Sequence, residues 1–145
     1  MQNGIYEIIH RINCLTEDID SQYHQAAVKL GVSDSVLFVL YMVYTNGEKC
    51  LLCDIYKSSG ISKQTINSAI RKLEKDQIVY LDKTGGKEKV VCLTEQGKLY
   101  AKQTAAKVFE AECNVFGGWN EEEMKQYLSL IEKFDVSLRE QIQKL

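Results

Sequence analysis

Residues 61–94 constrain the fold of this 145-residue chain more than any other segment. A run with the spacing of an amphipathic helix comes first, and two short β-prone runs, 78–81 and 90–93, follow it. Gly85 and Gly86 lie between those runs, where a tight turn needs conformational freedom. The segment therefore predicts one helix with a polar face that leads directly into a two-stranded hairpin.

The predicted helix has a well-marked start and a single apolar stripe. Ser62 is a good N-cap, because its hydroxyl can accept a hydrogen bond from a free amide of the first turn. Ile61, just before the cap, can pack against Ile66 as a hydrophobic staple. The stripe follows the i, i+3, i+4, i+7 spacing of a helix that buries one face, and it comprises Ile66, Ala69, Ile70 and Leu73.

The remaining surface of this helix is polar and carries side chains suited to DNA. Asparagine and glutamine can pair with an adenine edge in the major groove, and arginine can pair with guanine. A helix that enters the groove also presents its first turn to bases and phosphates. The candidate DNA-binding residues are Ser62, Lys63, Gln64, Thr65, Asn67, Ser68, Arg71 and Lys72. An ordinary surface helix has the same pattern, so the flanking segments must decide between the two interpretations.

Both flanks favour the DNA-binding interpretation. Upstream, residues 51–58 are compatible with a helix and end at Ser59 and Gly60, a tight connection typical of a helix-turn-helix. Downstream, the hairpin carries three lysines that either contact phosphate or keep a sheet edge soluble; they are Lys83, Lys87 and Lys89. Together these elements predict a winged helix-turn-helix.

The charges are unevenly distributed along the chain. Residues 57–98 contain nine basic and five acidic side chains, a net charge of +4, although the whole chain carries −2. The remaining residues therefore carry −6, and the sequence pI of about 5.7 conceals a polarised molecule. A polyanion such as double-stranded DNA is expected to approach the basic segment and to be repelled elsewhere.

Two motifs in this region carry a family resemblance. The run SKQTINSAIRKLEK at 62–75 and the LTEQG exit from the hairpin at 93–97 are similar in order and spacing to the MarR family. The resemblance covers essentially the whole chain. It implies a mostly α-helical fold with a small β-hairpin wing, in which long N- and C-terminal dimerisation helices flank the winged helix-turn-helix. It also implies a dimeric transcriptional regulator whose groove-facing residues are Gln64, Thr65, Asn67, Ser68 and Arg71.

The chain departs from the family pattern at three places. The wing of the family usually carries an arginine that enters the minor groove, whereas residues 82–89 contain none. Ser68 stands where many members have arginine, and Tyr56 stands where a small residue is common. The family's DNA sequence preference therefore does not transfer to this chain.

Length and composition fit a single domain, 1–145, with the DNA-binding region at 33–98 and dimerisation helices at 1–32 and 99–145. Gly117 and Gly118 end a predicted helix of about 95–116, and Asn120 caps the last helix. Both ends of the chain carry apolar stripes at helical spacing: Ile5, Ile8, Ile9, Ile12, Leu15 or Thr16, Ile19 and Tyr23, and Met124, Leu128, Ile131, Phe134 or Asp135, Leu138, Ile142 and Leu145. The stripes either pair two subunits or pack back on the chain's own domain, and the length of the last one favours a homodimer.

An apolar helix is predicted between Ser33 and Gly47. In the MarR resemblance a ligand cleft lies where this helix, the N-terminal helix and the winged domain meet. Tyr23, Tyr41 and Tyr44 are therefore candidates for binding a small aromatic or apolar effector. Aromatic side chains at helical spacing are also typical of an ordinary core.

Five cysteines raise the possibility of metal or redox chemistry. Cys50 and Cys53 have the spacing of a metal-ligand or redox pair, but no second pair completes a zinc site, so we predict no metal. Some MarR relatives sense oxidants through a cysteine of the N-terminal helix, which makes Cys14, Cys50 and Cys53 candidate redox sensors. The alternative is that each is a small buried apolar residue.

No phosphate-binding loop, nucleophile elbow or metal-binding helix motif occurs, so we expect neither an enzyme nor a cofactor. The chain has neither a bilayer-length apolar run nor a signal-peptide pattern, which predicts a cytoplasmic protein without a membrane partner. The sequence thus predicts a repressor that binds a pseudo-palindromic operator and is released by a small-molecule effector or by thiol oxidation. The alternative is a winged-helix module that binds protein without reading DNA sequence.

Overall fold

A computed structural model describes residues 2–83 and 86–145. Over these residues the chain forms seven helices and one small antiparallel sheet, which confirms the predicted fold class. In chain order the elements are α1 (Gln2–Leu30), α2 (Asp34–Thr45), β1 (Lys49–Leu51), α3 (Leu52–Ser58), α4 (Lys63–Lys75), β2 (Val79–Asp82), β3 (Val90–Leu93), α5 (Glu95–Gln103), α6 (Ala105–Gly117) and α7 (Glu121–Ile142). Gly85, which we predicted in the hairpin turn, lies outside the described residues together with Thr84 and Met1.

The sheet contains the predicted hairpin and one strand that the sequence did not predict. Strands β2 and β3 pair antiparallel, with Tyr80 opposite Cys92. Strand β1 pairs with the other edge of β3, so that the strand order is β1-β3-β2 and Cys50 lies opposite Val91. A strand of three residues is too short to show a period of two, which is why only the hairpin could be recognised.

The core forms where α2 crosses α4 and the sheet. Val39, Leu40 and Val43 of α2 are fully buried, and the predicted stripe of α4 packs beside them. Burying each such aliphatic side chain stabilises the fold by about 1.5–3 kcal/mol relative to leaving it in water. Because this stripe occupies the inner side of α4, the remaining sides of that helix stay outside the core.

Three predicted N-caps are confirmed by their hydrogen bonds. The side chains of Ser33, Ser62 and Asn120 each accept a hydrogen bond from the backbone N–H three residues further on. The donor–acceptor distances are 3.2, 3.2 and 2.8 Å. Such a cap satisfies one of the amides that a helix start leaves without an intrahelical partner, and it contributes about 1 kcal/mol.

The predicted helix of about 95–116 is wrong in one respect, because it is two helices that are interrupted at Thr104. Thr104 has φ −126° and ψ −89°, and its buried side chain donates a hydrogen bond to the carbonyl of Tyr100 at 2.8 Å. A threonine that bonds back to the preceding turn competes with the helical backbone hydrogen bonds and favours a bend. Apolar periodicity continues through such a bend, so it did not reveal the interruption.

The chain divides into two compact units, residues 1–109 and 110–145. The first unit contains the sheet and the core, and its helix α1 exposes a long apolar stripe. In the second unit, α7 has no buried residue along its 22 residues. Here Phe116, Trp119 and Tyr127 pack against each other with ring centroids 5.1–6.2 Å apart.

None of the helices in the described part of the chain is by itself long and apolar enough to cross a bilayer. Helices α1 and α2 reach that length and hydropathy only when taken together, as a pair bent by 93°.

Candidate nucleic-acid interface

The candidate interface is built by the short helix α3, the connection after it and the longer helix α4. In that connection the Ser59 hydroxyl donates to the carbonyl of Ile61 at 3.1 Å, which fixes the approach to the Ser62 cap. With its apolar stripe buried, α4 leaves most of the predicted DNA-binding residues exposed: Ser62, Lys63, Gln64, Thr65, Ser68, Arg71 and Lys72. Their positions are those of a polar surface available to a large ligand.

Asn67 differs from the other polar residues of α4 because it is half-buried. The phenol hydroxyl of Tyr56, which belongs to α3, donates a hydrogen bond to Asn67 Oδ1. The ammonium of Lys63 lies over the ring of the same tyrosine, 5.3 Å from its centroid. The polar pattern predicted Asn67 among the groove-facing residues of α4, but it could not reveal this contact between residues 11 positions apart.

The other polar side chains on α4 form a short chain of hydrogen bonds. The Ser68 hydroxyl donates to the backbone carbonyl of Gln64 at 3.0 Å, and Arg71 Nη2 donates to the Ser68 hydroxyl at 3.3 Å. An arginine has five N–H donors, and this contact uses one nitrogen of its planar fork. The Arg71 side chain is therefore oriented along the exposed face while it retains donors for a base edge or a phosphate.

The first turn of α4 serves as an anion-attracting end as well as a cap. Ser62 and Thr65 bond to each other through their hydroxyls at 2.9 Å, so these two side chains are primarily structural. The N-terminus of a helix carries partial positive charge and free N–H groups, which favour a phosphate. Lys63, exposed in the same turn, adds a full positive charge there.

The three lysines of the wing lie beside the sheet. Lys83, Lys87 and Lys89 are all exposed, and the carbonyl of Lys89 accepts a hydrogen bond from the N–H of Leu52 at 2.9 Å. This last bond ties the base of the wing to the start of α3. Cationic side chains on such a hairpin can contact the DNA backbone, which fixes position rather than sequence.

Not every lysine of the basic segment is equally suited to phosphate. Lys98 lies 2.9 Å from a carboxylate oxygen of Glu95 and 3.3 Å from one of Glu48. Hydrogen bonds to Glu95 and Glu48 raise the pKa of Lys98, and the same two carboxylates offset its charge. On the wing, the neighbouring Cys92 is the main cause that raises the pKa of the exposed Tyr80 phenol.

The tyrosines predicted to bind an effector lie on two helices of the first unit. Tyr41 and Tyr44 are half-buried on α2, and each packs edge-on against Phe109, at centroid distances of 6.4 and 6.3 Å. Tyr23 lies on α1 and is exposed. Phe109 was missed in the sequence, because the spacing of Tyr41 and Tyr44 identifies one helix face but not the aromatic ring that covers it.

All five cysteines are free thiols. Cys50 is buried in β1, and burial raises its pKa, with smaller contributions from Asp54 and Cys53. Cys53 is half-buried, as is Cys14 on α1, whose Sγ lies 3.7 Å from Nε2 of His10. Over residues 2–83 and 86–145, no group of three or more His, Cys, Asp or Glu side chains is placed to hold a metal ion.

Comparison with known proteins identifies the fold through structure alone. Neither a protein-family model nor a curated protein sequence matches the chain. Among solved structures, a MarR family regulator from Neisseria meningitidis is similar with a TM-score of 0.77 and 18% identity, over 95% of each chain.

Two further solved structures with this fold are of proteins that are regulated by, or bound to, a small aromatic acid. Bordetella bronchiseptica BpsR, whose DNA binding is regulated by 6-hydroxynicotinic acid, has a TM-score of 0.62 and 18% identity, over 86% of this chain and 98% of its own. NadR in complex with 4-hydroxyphenylacetate has a TM-score of 0.67 and 16% identity, over 88% of this chain and 91% of its own. The chain therefore has the MarR-like winged-helix fold that the sequences of α4 and the wing predicted.

Proposed function

We propose that this protein is a sequence-specific DNA-binding transcriptional regulator that acts as a homodimer. The observation that carries the proposal is the exposed polar face of α4, which lies in a segment of net charge +4 while the rest of the chain is acidic. The similarity to MarR family regulators supports a regulator rather than an enzyme. A major groove accepts an α-helix, and the charge distribution favours one docking face.

The exposed side chains divide by chemistry into two groups. Gln64 and Arg71 carry the directional donors and acceptors that read base edges, with Asn67 beside them. Lys63, Lys72 and the lysines of the wing carry point charges that neutralise phosphates and so position the protein without selecting a sequence. Because each phosphate contact releases counterions, we expect the affinity to fall as salt rises.

Homodimerisation is supported by the two apolar surfaces that the chain leaves in water. On α1, Ile5 and Ile8 are 57% and 59% exposed, and on α7, Leu128 and Phe134 are 58% and 60% exposed. Contiguous exposed apolar surface of this kind marks an interaction site. A second copy of the chain would cover these surfaces and supply a second α4, so that two half-sites about one helical turn of DNA apart are read together.

We further propose that the regulator is a repressor that dissociates from its operator when a small aromatic effector binds. BpsR and NadR respond to or bind aromatic acids, and the half-buried Tyr41 and Tyr44 offer aromatic edges beside Phe109 for a similar ring. Tyr23 is the third candidate. An effector that binds better to one separation of the two α4 helices shifts the population towards that separation.

Thiol oxidation is the second route by which the proposed repressor would be released. Cys14 and Cys53 are better placed than Cys50 to react, because the raised pKa of Cys50 disfavours its thiolate, the form that oxidants attack. The proposal requires no cofactor and places the protein in the cytoplasm, where thiols stay reduced until an oxidant arrives.

The test is fluorescence anisotropy of the purified protein with duplex DNA from upstream of its own gene and with a scrambled duplex, at low and near-physiological salt. We expect selective binding that weakens with salt, and we expect Arg71→Ala to abolish most of the selectivity while the protein remains folded. Lys133→Ala on α7 is the matched control. If selection from random duplex pools also yields no preferred sequence, the chain is instead a winged-helix module for protein partners.

A further inference from the structure

We propose that Tyr56 is a positioning residue that determines which base Asn67 reads, and that the hydrogen bond between them selects guanine over adenine. The inference rests on the proposed DNA-binding function and assigns the specificity of one position within it. It follows from a contact between the two helices of the helix-turn-helix rather than from either helix alone.

The first step concerns the orientation of the amide. The Tyr56 hydroxyl donates to Asn67 Oδ1, so the oxygen of this amide faces α3. The amide nitrogen is attached to the same carbon about 120° away, and its two N–H donors are left for another acceptor. Asn67 is half-buried, whereas Gln64 is exposed, and the hydrogen bond from Tyr56 favours this orientation of the amide.

The second step concerns the ring of the same tyrosine. Lys63 and Asn67 are four residues apart on α4 and therefore lie on one face, one turn above the other. The ammonium of Lys63 lies 5.3 Å from the centroid of the Tyr56 ring, while the hydroxyl of that ring holds Asn67. The Tyr56 side chain thus positions both the Lys63 ammonium, which can contact a phosphate, and the Asn67 amide, which can contact a base.

The third step follows from the atoms that bases present in the major groove. An asparagine that recognises adenine donates from its nitrogen to N7 and accepts at its oxygen from the N6 amino group, so it needs both amide atoms at the base edge. With Oδ1 facing α3 and one of its two lone pairs engaged by Tyr56, the two N–H donors are the groups that Asn67 offers away from α3. Guanine offers two acceptors, N7 and O6, and no donor at that edge, so it matches this arrangement better than adenine does.

The experiment is selection of binding sites from random duplexes by the wild-type protein, Tyr56→Phe, Asn67→Ala and Tyr100→Phe. Asn67→Ala identifies the contacted base pair as the one whose preference disappears. We expect the wild type to select guanine at that pair. Tyr56→Phe removes the hydroxyl but keeps the ring below Lys63, and it should raise the adenine-to-guanine ratio at that pair by about fivefold or more. Tyr100→Phe removes a phenol hydroxyl on α5 and should select the wild-type sequence.

A second measurement uses only the wild-type protein, so it does not depend on the folding of Tyr56→Phe. Replacing the selected guanine by 7-deazaguanine removes the N7 acceptor and should weaken binding by about fivefold or more. The inference is overturned if the wild type prefers adenine at the pair that Asn67→Ala identifies, or if a folded Tyr56→Phe selects as the wild type does. It is also overturned if Asn67→Ala changes no preference. If the wild type selects no sequence at all, the proposed function itself fails, which is a distinct result.

Discussion

A Cβ atom added at Gly97 would lie 1.9 Å from the backbone carbonyl oxygen of Ile78. The start of α5 is therefore packed against the backbone that leads into β2, with no space for a side chain. This close approach explains the glycine in the LTEQG exit from the wing, since the neighbouring atom is backbone and cannot rotate away.

We expect Gly97→Ala to destabilise the fold by about 2 kcal/mol or more, because either α5 or the residues before β2 must shift. Thermal and urea unfolding would measure the loss. Gly60→Ala is the matched control, since a Cβ at Gly60 meets nothing within 4 Å, and we expect a change within about 0.5 kcal/mol. Equal stability of the two variants would contradict this account of the wing exit.

Thr94 joins the same region through its hydroxyl, which also lies 3.2 Å from the carbonyl oxygen of Ile78. Oγ1 accepts from the N–H of Gly97 at 2.8 Å, as the N-cap of α5, and donates to the carbonyl of Gln77 at 2.6 Å. We expect Thr94→Ala to lose about 1–2 kcal/mol of stability and Thr94→Ser, which keeps the hydroxyl, to lose much less. Urea unfolding of the two variants checks the difference, and a serine variant as unstable as the alanine variant would assign the effect to the methyl group instead.

Salt dependence tests the role of the wing. If Lys87 and Lys89 contact phosphate, the double variant Lys87→Ala/Lys89→Ala should reduce the slope of log affinity against log salt by about one for each lost contact per subunit. Base preference should be unchanged, because phosphate contacts carry no sequence information. Anisotropy titrations between about 50 and 200 mM salt measure the slope. An unchanged slope would leave these lysines with solubility as their only role.

The exposed apolar stripe of α1 provides a test of the proposed homodimer. Ile12 is 47% exposed in the single chain, and Ile12→Glu should raise the dissociation constant of the dimer by at least about a hundredfold, since a symmetric interface loses the contact twice. Sedimentation velocity measures the oligomeric state. Ser21→Glu adds the same charge on the opposite side of α1 and should leave the dimer intact. A monomeric wild type would contradict the proposed homodimer.

The Cys50 thiol predicts a pH dependence of stability. Burial, Asp54 and Cys53 raise its pKa above the usual 9.0, so the unfolded chain ionises first as the pH rises. The stabilisation by the neutral thiol is complete below pH 9.0 and is lost as the pH rises from there through the raised value. The free energy of unfolding of the wild type should therefore decrease towards that of Cys50→Ala above pH 9.0, in urea titrations of both proteins. A constant difference between them would contradict the raised pKa.

Much of the fold could be predicted because local chemistry determines it. The caps at Ser33, Ser62 and Asn120 depend on residues three positions apart, and the buried stripe of α4 depends on a 3.6-residue period. The hairpin also depends on a short stretch of chain. In these elements the interacting residues are close in sequence, so the sequence alone was sufficient to predict them.

The order of residues was sufficient to predict the helix-turn-helix, the wing and the apolar stripes of the two terminal helices. Four features became visible only in the folded chain: the pairing of β1 with β3, the interruption at Thr104, the packing of Phe109 against Tyr41 and Tyr44, and the bond from Tyr56 to Asn67. Each of these depends on where separate elements meet or on how a buried side chain competes with the backbone. Periodicity shows which face of a helix turns inward, but the atoms that lie opposite that face are set by the packing of the whole domain.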